Sequence, residues 1–294
     1  MSLFHYDMPL YRPPSEGENL IVQVTLGCSF NQCSFCDMYK SKTYSARPLD
    51  SVFADIDQLA ELYPDAHRVF LADGDALVLS TEMLEAIADH LTLRFPRLQR
   101  ISSYATPYNL LRKTPEELRR LKAKKLSLLY VGIESGASEV LKRVSKAIPQ
   151  DRMVLALTKA REAGMKVSAT VILGLGGKRL ADIHIAETAT LINRAPPTFV
   201  STLQLTFTPG TISDFHARWP EGFEEQDDEG ILREQHAFLS ALSPSSPVIF
   251  RSNHASNCLP LEGTLPKDQP RLLAQITSAL KGAEALRPEW LRRL

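Results

Sequence analysis

The chain has 294 residues, enough for a single α/β barrel or for two smaller domains. Its 34 basic and 34 acidic side chains balance, whereas a nucleic-acid-binding chain usually shows a basic excess that neutralises phosphates. No run of 18 apolar residues occurs, and the N-terminus lacks the charged and apolar regions of a signal peptide. Four cysteines are too few for a disulfide scaffold, so we expect a cytoplasmic protein without a membrane span.

From residue 20 onward, short β-branched runs alternate with segments of helical periodicity, which is typical of βα units around a parallel sheet. The Pro-rich residues 1–19 are predicted to be an extended segment. Six strands are predicted, at residues 20–25, 68–72, 101–104, 126–133, 166–173 and 199–206. Because six units are fewer than the eight that close a full barrel, residues 20–210 are predicted to form a partial (β/α)6 TIM-like barrel, open on one side.

Three cysteines, Cys28, Cys33 and Cys36, lie on the loop that follows the first predicted strand. Thiolates on one loop favour an iron–sulfur cluster or zinc. A structural zinc site and an electron-transfer cluster each require four ligands, whereas three ligands leave one metal position open for chemistry. The alternatives are a zinc-stabilised binding module, completed by a distant His or by Cys258, and an iron–sulfur electron carrier.

The segment Gly27–Cys36, with Phe35 directly before the last cysteine, resembles the cluster loop of the radical S-adenosylmethionine (SAM) superfamily. Its first gap has four residues where three are usual. The resemblance implies that the three cysteines hold a [4Fe–4S] cluster and that the fourth iron binds SAM. It also implies an external reductant such as flavodoxin or ferredoxin, and a 5′-deoxyadenosyl radical that removes hydrogen from a substrate. Phe35 is then expected near the adenine of SAM.

The resemblance extends to the ends of later predicted strands, where a barrel places its active site. It implies SAM contacts from Asp73, Gly74, Asp75, Ser103, Glu134, Ser135, Gly174 and Gln204. Residues 73–75 stand where the family carries a Gly-Gly-Glu motif that binds the SAM amino group, although a simple turn also fits them. Gly132–Gly136 resembles a Gly-x-Glu-Ser segment that reaches the ribose or carboxylate of SAM.

Residues 211–294 are predicted to be an irregular, α-rich extension that covers the barrel and possesses one polar segment, 251–266. There His254 and Cys258 are candidate catalytic residues that contact substrate, and Cys258 could return a hydrogen atom to a product radical. The alternative is a connecting loop with Cys258 buried as a small hydrophobe. One cysteine outside the cluster loop is too few for a second Cys-ligated cluster, and no RNA-binding appendage is recognisable. We therefore expect a small-molecule or peptide substrate rather than nucleic acid.

Overall fold

The structure is a computed structural model that describes residues 6–146 and 148–292. The chain divides into two compact units. Unit 1 comprises the described residues up to Asn31, together with Cys36–Val131 and Thr158–Val167. Unit 2 comprises Gln32–Phe35, the described residues of Gly132–Leu157, and those from Ser168 onward. No helix among the described residues is long and apolar enough to cross a membrane.

Between residues 20 and 134 the chain alternates strands and helices. Its elements are β1 (Leu20–Gln23), β2 (Thr25–Leu26), β3 (Ser45–Ala46), α1 (Leu49–Leu62), β4 (Arg68–Ala72), α2 (Thr81–Arg94), β5 (Arg100–Ala105), α3 (Pro107–Arg112), α4 (Pro115–Ala123) and β6 (Leu126–Glu134). The helix α4 opens with a capping box, in which the Thr114 hydroxyl accepts from Glu117 N–H and the Glu117 carboxylate accepts from Thr114 N–H.

The remaining elements continue this alternation as far as the sixth predicted strand and then depart from it. They are α5 (Ser138–Arg143), α6 (Gln150–Glu162), β7 (Lys166–Leu173), α7 (Ala181–Arg194), β8 (Phe199–Gln204), α8 (Ile212–Ala217), α9 (Asp228–Ala241), β9 (Val248–Arg251), β10 (Glu262–Leu265) and α10 (Gln269–Leu280). Six of the eight residues of β7 are buried, as expected for a parallel strand covered on both faces.

The main sheet has eight strands in the order β1-β4-β5-β6-β7-β8-β9-β10. The described pairings β1–β4, β4–β5, β5–β6, β7–β8 and β8–β9 are parallel, and only β9–β10 is antiparallel. The order is linear from β1 to β10, so the sheet is open rather than closed on itself. This confirms the predicted α/β class and the six predicted strands, while the domain boundary at residue 210 stays a prediction.

The sequence analysis missed two strands in the C-terminal extension, which it treated as irregular and α-rich. Residues 248–251 form β9, and residues 262–265 form β10, which pairs with β9 from Leu265 opposite Val248 to Glu262 opposite Arg251. Both strands are only four residues long, and neither shows a clear alternation of apolar and polar residues. Pairing with a neighbouring strand, rather than local propensity, accounts for such short strands.

Candidate functional site

The cysteine loop follows β2, and Gly27 makes the turn into it with a φ of +69°. Cys28, Cys33 and Cys36 are each partly exposed, whereas Cys258 is buried, and none of the four forms a disulfide. Across residues 6–146 and 148–292, no three His, Cys, Asp or Glu side chains are arranged as ligands of one metal ion. The donor chemistry nevertheless fits the predicted cluster, because three accessible thiols on one short loop are the soft ligands that iron–sulfur clusters use.

A buried tyrosine that the sequence analysis missed lies beside two of these cysteines. Burial is the main cause that raises the pKa of Tyr39, and negative charge on Asp73, Cys28 and Cys36 raises it further. The Tyr39 hydroxyl has no hydrogen-bond partner among the described residues. A tyrosine three residues beyond the last cysteine gives no local signal in sequence, because its significance depends on the fold that brings Asp73 next to it.

Asp73 is fully buried directly after β4, where the sequence predicts a contact to SAM. Its Oδ2 accepts from Gly27 N–H at 3.1 Å, from Gln23 Nε2 at 3.1 Å and from Lys42 Nζ at 2.9 Å. Its Oδ1 has no partner among the described residues. Burial raises the pKa of this carboxyl, and the bonds from Lys42, Gly27 and Gln23 oppose that rise. One carboxylate oxygen is therefore fixed in place and the other is available to a ligand.

Asp75 is also fully buried, but both of its oxygens are occupied by Ser29. Oδ1 accepts from Ser29 N–H at 3.0 Å, and Oδ2 accepts from the Ser29 hydroxyl. Burial raises the pKa of Asp75, while the bonds from Ser29 and from the Asn109 side chain lower it. Gly74, between the two carboxylates, donates its N–H to Gly27 O at 3.1 Å. The structure thus ties residues 73–75 to the start of the cysteine loop.

Ser103, near the end of β5, is fully buried and its hydroxyl has no hydrogen-bond partner among the described residues. Buried polar groups in folded proteins are nearly always hydrogen-bonded, so a hydroxyl of this kind calls for an explanation. A ligand that supplies the missing partner is one such explanation. The contact of Ser103 with SAM stays a prediction.

In unit 2, Glu134 and Ser135 end β6, where the sequence predicts contacts to SAM. The Glu134 backbone has a φ of +59°, and its carboxylate pairs with Lys146 Nζ at 2.6 Å. Glu134 is largely buried, so a cationic neighbour offsets the desolvation of its charge. Lys146 was not singled out in the sequence analysis, where it lies in an unremarkable polar stretch.

Ser135 takes part in a buried network that the sequence analysis did not foresee. His184, on α7, places Nδ1 at 2.7 Å from the Ser135 hydroxyl and Nε2 at 3.0 Å from Ile172 O. Because a carbonyl only accepts, Nε2 carries a proton that it donates to Ile172 O. Glu234, on α9, lies at 3.3 Å from His184 Nε2 and accepts from Gly174 N–H at 2.8 Å. Two predicted SAM-contact positions, Ser135 and Gly174, are thereby linked through His184 and Glu234.

Phe35 belongs to unit 2 and packs against a large apolar cluster. That cluster consists of Ala137, Val140, Val144, Ile172, Leu175, Phe215 and Trp219, with Leu180, Leu205, Phe207 and Phe223 beside it. The aromatic rings of Phe207, Phe215 and Phe223 contact one another at centroid distances of 4.8 to 6.1 Å. The residue before the last cysteine is therefore anchored by packing, as its apolar character suggests.

The polar segment after β9 binds the end of β8. Asn257 Oδ1 accepts from Gln204 N–H at 2.8 Å, and Asn257 Nδ2 donates to Thr202 O at 2.7 Å. The Gln204 side chain accepts from Cys258 N–H at 3.3 Å. The Arg287 guanidinium donates to the carbonyls of residues 254, 255 and 257 at 2.7 to 3.2 Å. Much of the polar character of this segment thus supports the fold.

His254 and Cys258 lie within this segment in unlike surroundings. Cys258 is 1% exposed, and burial raises the pKa of its thiol to about 11. His254 is partly buried, and its Nδ1 accepts from Ser256 N–H at 3.2 Å. Burial and the positive charge of Arg287 lower the pKa of His254. At neutral pH the thiol is protonated and the imidazole is neutral, and a role for either in contacting substrate stays a prediction.

Comparison with known proteins gives a family match and a set of partial relatives. Residues 22–192 match the model of the radical SAM superfamily. A tRNA-2-methylthio-N(6)-dimethylallyladenosine synthase of Shewanella sp. (strain W3-18-1) is 30% identical over 200 residues, 62% of this chain and 40% of that protein. The heme chaperone HemW of Bacillus subtilis (strain 168) is 25% identical over 165 residues, 53% of this chain and 43% of that protein. The chain therefore spans less than half the length of these relatives.

Solved structures share the fold at low sequence identity. The radical SAM enzyme coproporphyrinogen III oxidase (HemN) of Escherichia coli aligns with a TM-score of 0.60 and 20% identity, over 76% of this chain and 52% of that chain. Methylornithine synthase (PylB) aligns with a TM-score of 0.53 and 15% identity, over 76% of this chain and 63% of that chain. At these identities the likeness concerns the fold alone.

Proposed function

Because this chain belongs to the radical SAM superfamily, we propose that Cys28, Cys33 and Cys36 hold a [4Fe–4S] cluster with one iron left for SAM. When bound, the cluster supplies the electron that splits SAM into methionine and a 5′-deoxyadenosyl radical, which removes hydrogen from the substrate. The observation that carries the proposal is the family match over residues 22–192, which includes all three cysteines. That these thiols are partly exposed and not disulfide-bonded supports it.

The residues of this chain would bind and orient SAM. Asp73 offers Oδ1, which has no partner within residues 6–146 and 148–292, to the SAM ammonium group, while Lys42 and the Gly27 N–H hold Oδ2 in place. The Ser103 hydroxyl offers a donor and an acceptor to the ribose. Glu134, paired with Lys146, and Ser135, held by His184, offer further polar contacts. Phe35, the Gly74 and Gly174 backbone and Gln204 would complete the surroundings of the nucleoside.

We propose a small-molecule or peptide substrate, although several relatives, among them the Shewanella synthase, carry tRNA in their names. The densest basic run of the chain lies on and after α4, where two of its side chains pair with acidic residues of α2 and one pairs within α4. Arg120 contacts Glu85, Lys124 contacts Asp89 at 2.6 Å, and Arg119 contacts Glu116 at 3.2 Å. Exposed ion pairs add little stability, but they cancel the local charge that would attract phosphates.

The proposed chemistry requires an electron donor and a reducing compartment. Thiolate ligands persist where thiols are kept reduced, so we place the protein in the cytoplasm. An external reductant such as flavodoxin or ferredoxin would supply the electron.

The test is anaerobic reconstitution with iron and sulfide, followed by reduction with dithionite in the presence of SAM. We expect about four irons per chain, as for one cubane cluster, and slow release of 5′-deoxyadenosine and methionine without added substrate. S-adenosylhomocysteine as the only nucleoside product would replace this proposal with methyl transfer. Zinc in place of iron would indicate a zinc-stabilised module, and a stable cluster without SAM affinity would indicate an electron carrier.

A further inference from the structure

Cys28 stands between two backbone N–H groups, each of which is bound by a buried carboxylate. The N–H of Gly27 donates to Asp73 Oδ2 at 3.1 Å, and the N–H of Ser29 donates to Asp75 Oδ1 at 3.0 Å. Both carboxylates belong to the short segment that follows β4. The residues before and after Cys28 are therefore fixed from a single neighbouring segment.

Asp75 holds Ser29 at two points. Its second oxygen accepts from the Ser29 hydroxyl, and the Asn109 side chain also bonds to the carboxylate. The Asp75 side chain is fully buried, so these bonds are shielded from competing water. Both oxygens of Asp75 are thus hydrogen-bonded, whereas Oδ1 of Asp73 has no partner among the described residues.

Gly74 brings the same segment into contact with Cys28 itself. A Cβ atom at position 74 would lie 2.6 Å from Cys28 Cβ and 2.9 Å from Cys28 Cα. Side chains do not approach that closely, so any residue other than glycine would displace Cys28. The two backbone bonds and this contact leave Cys28 little freedom to move.

We propose that Asp75 is a positioning residue for the cluster: by holding Ser29 it fixes the Cys28 thiolate, and it does not bind SAM. The inference rests on the proposed function, in which Cys28 is a cluster ligand. Groups that orient metal ligands typically change metal affinity by about 10- to 100-fold when they are removed. Loss of the Asp75 bonds should therefore weaken the cluster even when SAM is absent.

The test compares wild-type protein with Asp75→Asn and Ser29→Ala, each reconstituted anaerobically and kept free of SAM. The measurements are the rate of iron loss to a chelator and the EPR spectrum of the reduced cluster. We expect iron loss on the order of tenfold faster in Asp75→Asn, because its amide has one acceptor oxygen for the two Ser29 donors and lacks the negative charge that strengthens the remaining bond. Ser29→Ala keeps its backbone N–H bond, so we expect a smaller acceleration of a few fold. A normal SAM-free cluster in both variants, with only SAM affinity lowered, would overturn the inference.

Matched controls separate this role from general destabilisation. Asp89→Asn makes the same chemical change at an exposed carboxylate paired with Lys124 and should leave iron loss unchanged. In the double variant Ser29→Ala/Asp75→Asn the two effects should combine to less than their product, because the Ser29 hydroxyl acts through Asp75. Independent, fully multiplicative effects would contradict the inference. If Asp75→Asn does not fold, Ser29→Ala decides, since unchanged iron loss there would contradict the role.

The inference and the proposed function fail in different ways. Wild-type protein that takes up no iron contradicts the proposed function and, with it, the role of Asp75. Wild-type protein with a cluster and SAM cleavage, but with Asp75→Asn unchanged in iron loss, contradicts only the role of Asp75.

Discussion

Residues 73–75 of unit 1 and residues 252–258 of unit 2 are both dense in polar side chains, but their hydrogen bonds differ in kind. The first segment bonds to the loop that carries Cys28, and one buried carboxylate oxygen, Asp73 Oδ1, has no hydrogen-bond partner in the described part of the chain. In the second, the Ser252 hydroxyl accepts from Asn257 Nδ2 and from Gln235 Nε2 of α9, and Asn257 Nδ2 also donates to Thr202 O of β8. Polar density alone therefore does not distinguish a ligand site from a structural connection. A buried polar atom that lacks a partner is the more specific sign.

The structure supplies a physical reason for the polar side chains of residues 252–258. Beyond Gln204 the chain leaves the sheet. The Gln204 N–H, which β9 does not pair, donates to the Ser256 hydroxyl oxygen at 3.3 Å and to Asn257 Oδ1 at 2.8 Å. Since a buried backbone N–H or C=O must find a partner, polar side chains are needed there for the fold itself. The same residues look like substrate contacts in the sequence because that requirement is invisible without the β9–β10 hairpin.

The largest expected effect compares the three cysteines of the loop after β2, which residues 73–75 contact, with Cys258 of residues 252–258. Substitution of Cys28, Cys33 or Cys36 by Ala should abolish iron binding, because each removes one of only three proposed ligands. Cys258→Ala should retain about four irons per chain after reconstitution, measured by iron analysis and optical absorption. Loss of the cluster in Cys258→Ala would contradict the three-ligand proposal.

The sequence predicted the six parallel strands because each is a compact apolar run bounded by turn residues, and β4 and β7 were located at residues 68–72 and 166–173. It missed β9 and β10, whose four residues each gain strand structure from pairing with neighbours. Local pattern is sufficient for a buried parallel strand and insufficient for a short edge hairpin.

The candidate site was predicted at the level of motifs but not of their partners. The cysteine spacing and the strand-end carboxylates are local in sequence. His184 and Glu234 are 49 and 99 residues away from Ser135, and their role exists only once α7 and α9 are in place. An isolated His on a helix is indistinguishable in sequence from one that is simply exposed.

A second prediction concerns Glu134, which pairs with Lys146 at 2.6 Å. If Glu134 also binds SAM, Glu134→Ala should weaken SAM binding by roughly 1.5–3 kcal/mol, on the order of ten- to a hundredfold, as expected for a lost charge-assisted hydrogen bond. Calorimetry on the reconstituted, unreduced protein measures this, with the iron content as the control for an intact cluster. Unchanged affinity with a destabilised fold would assign Glu134 to its ion pair alone.

A third, smaller effect is expected at Ser103, whose buried hydroxyl has no partner among the residues that the structure describes. A role in binding SAM and a role in stabilising the fold predict opposite results for this hydroxyl. A ligand contact predicts that Ser103→Ala weakens SAM binding by about 0.5–1.5 kcal/mol, roughly two- to tenfold. The free energy of unfolding without SAM should stay the same or rise, because removing an unsatisfied buried hydroxyl relieves a desolvation penalty. Lower stability with unchanged SAM affinity would show that the hydroxyl has a structural partner instead.

The fourth prediction tests whether residues 252–258 do more than support the fold. Single substitutions Cys258→Ser and His254→Gln should leave uncoupled SAM cleavage intact and lower substrate turnover, once a substrate is known.

A separate measurement tests the burial of Cys258. Because the Cys258 thiol has a pKa of about 11 and is buried, iodoacetamide should modify it in the folded protein far more slowly than in the unfolded chain at neutral pH. Rapid alkylation of Cys258 in the native state would contradict its burial. Unchanged turnover in both variants would contradict a role of these residues in contacting substrate.

The smallest expected effect is a pH dependence of stability that belongs to His254. Burial and Arg287 lower its pKa below the ordinary value of 6.5, and its Nδ1 accepts from Ser256 N–H, which protonation would prevent. The unfolded chain therefore binds more protons than the folded chain as the pH falls below about 6.5, so the free energy of unfolding decreases there and is restored as the pH rises. In His254→Gln the contribution of this imidazole to the pH dependence of stability should disappear. A plot of unfolding free energy against pH between about 7 and 5 should therefore be flatter than for wild type. A wild-type stability that rises as the pH falls through this range, or an equal slope in His254→Gln, would show that the imidazole is not held neutral by the fold.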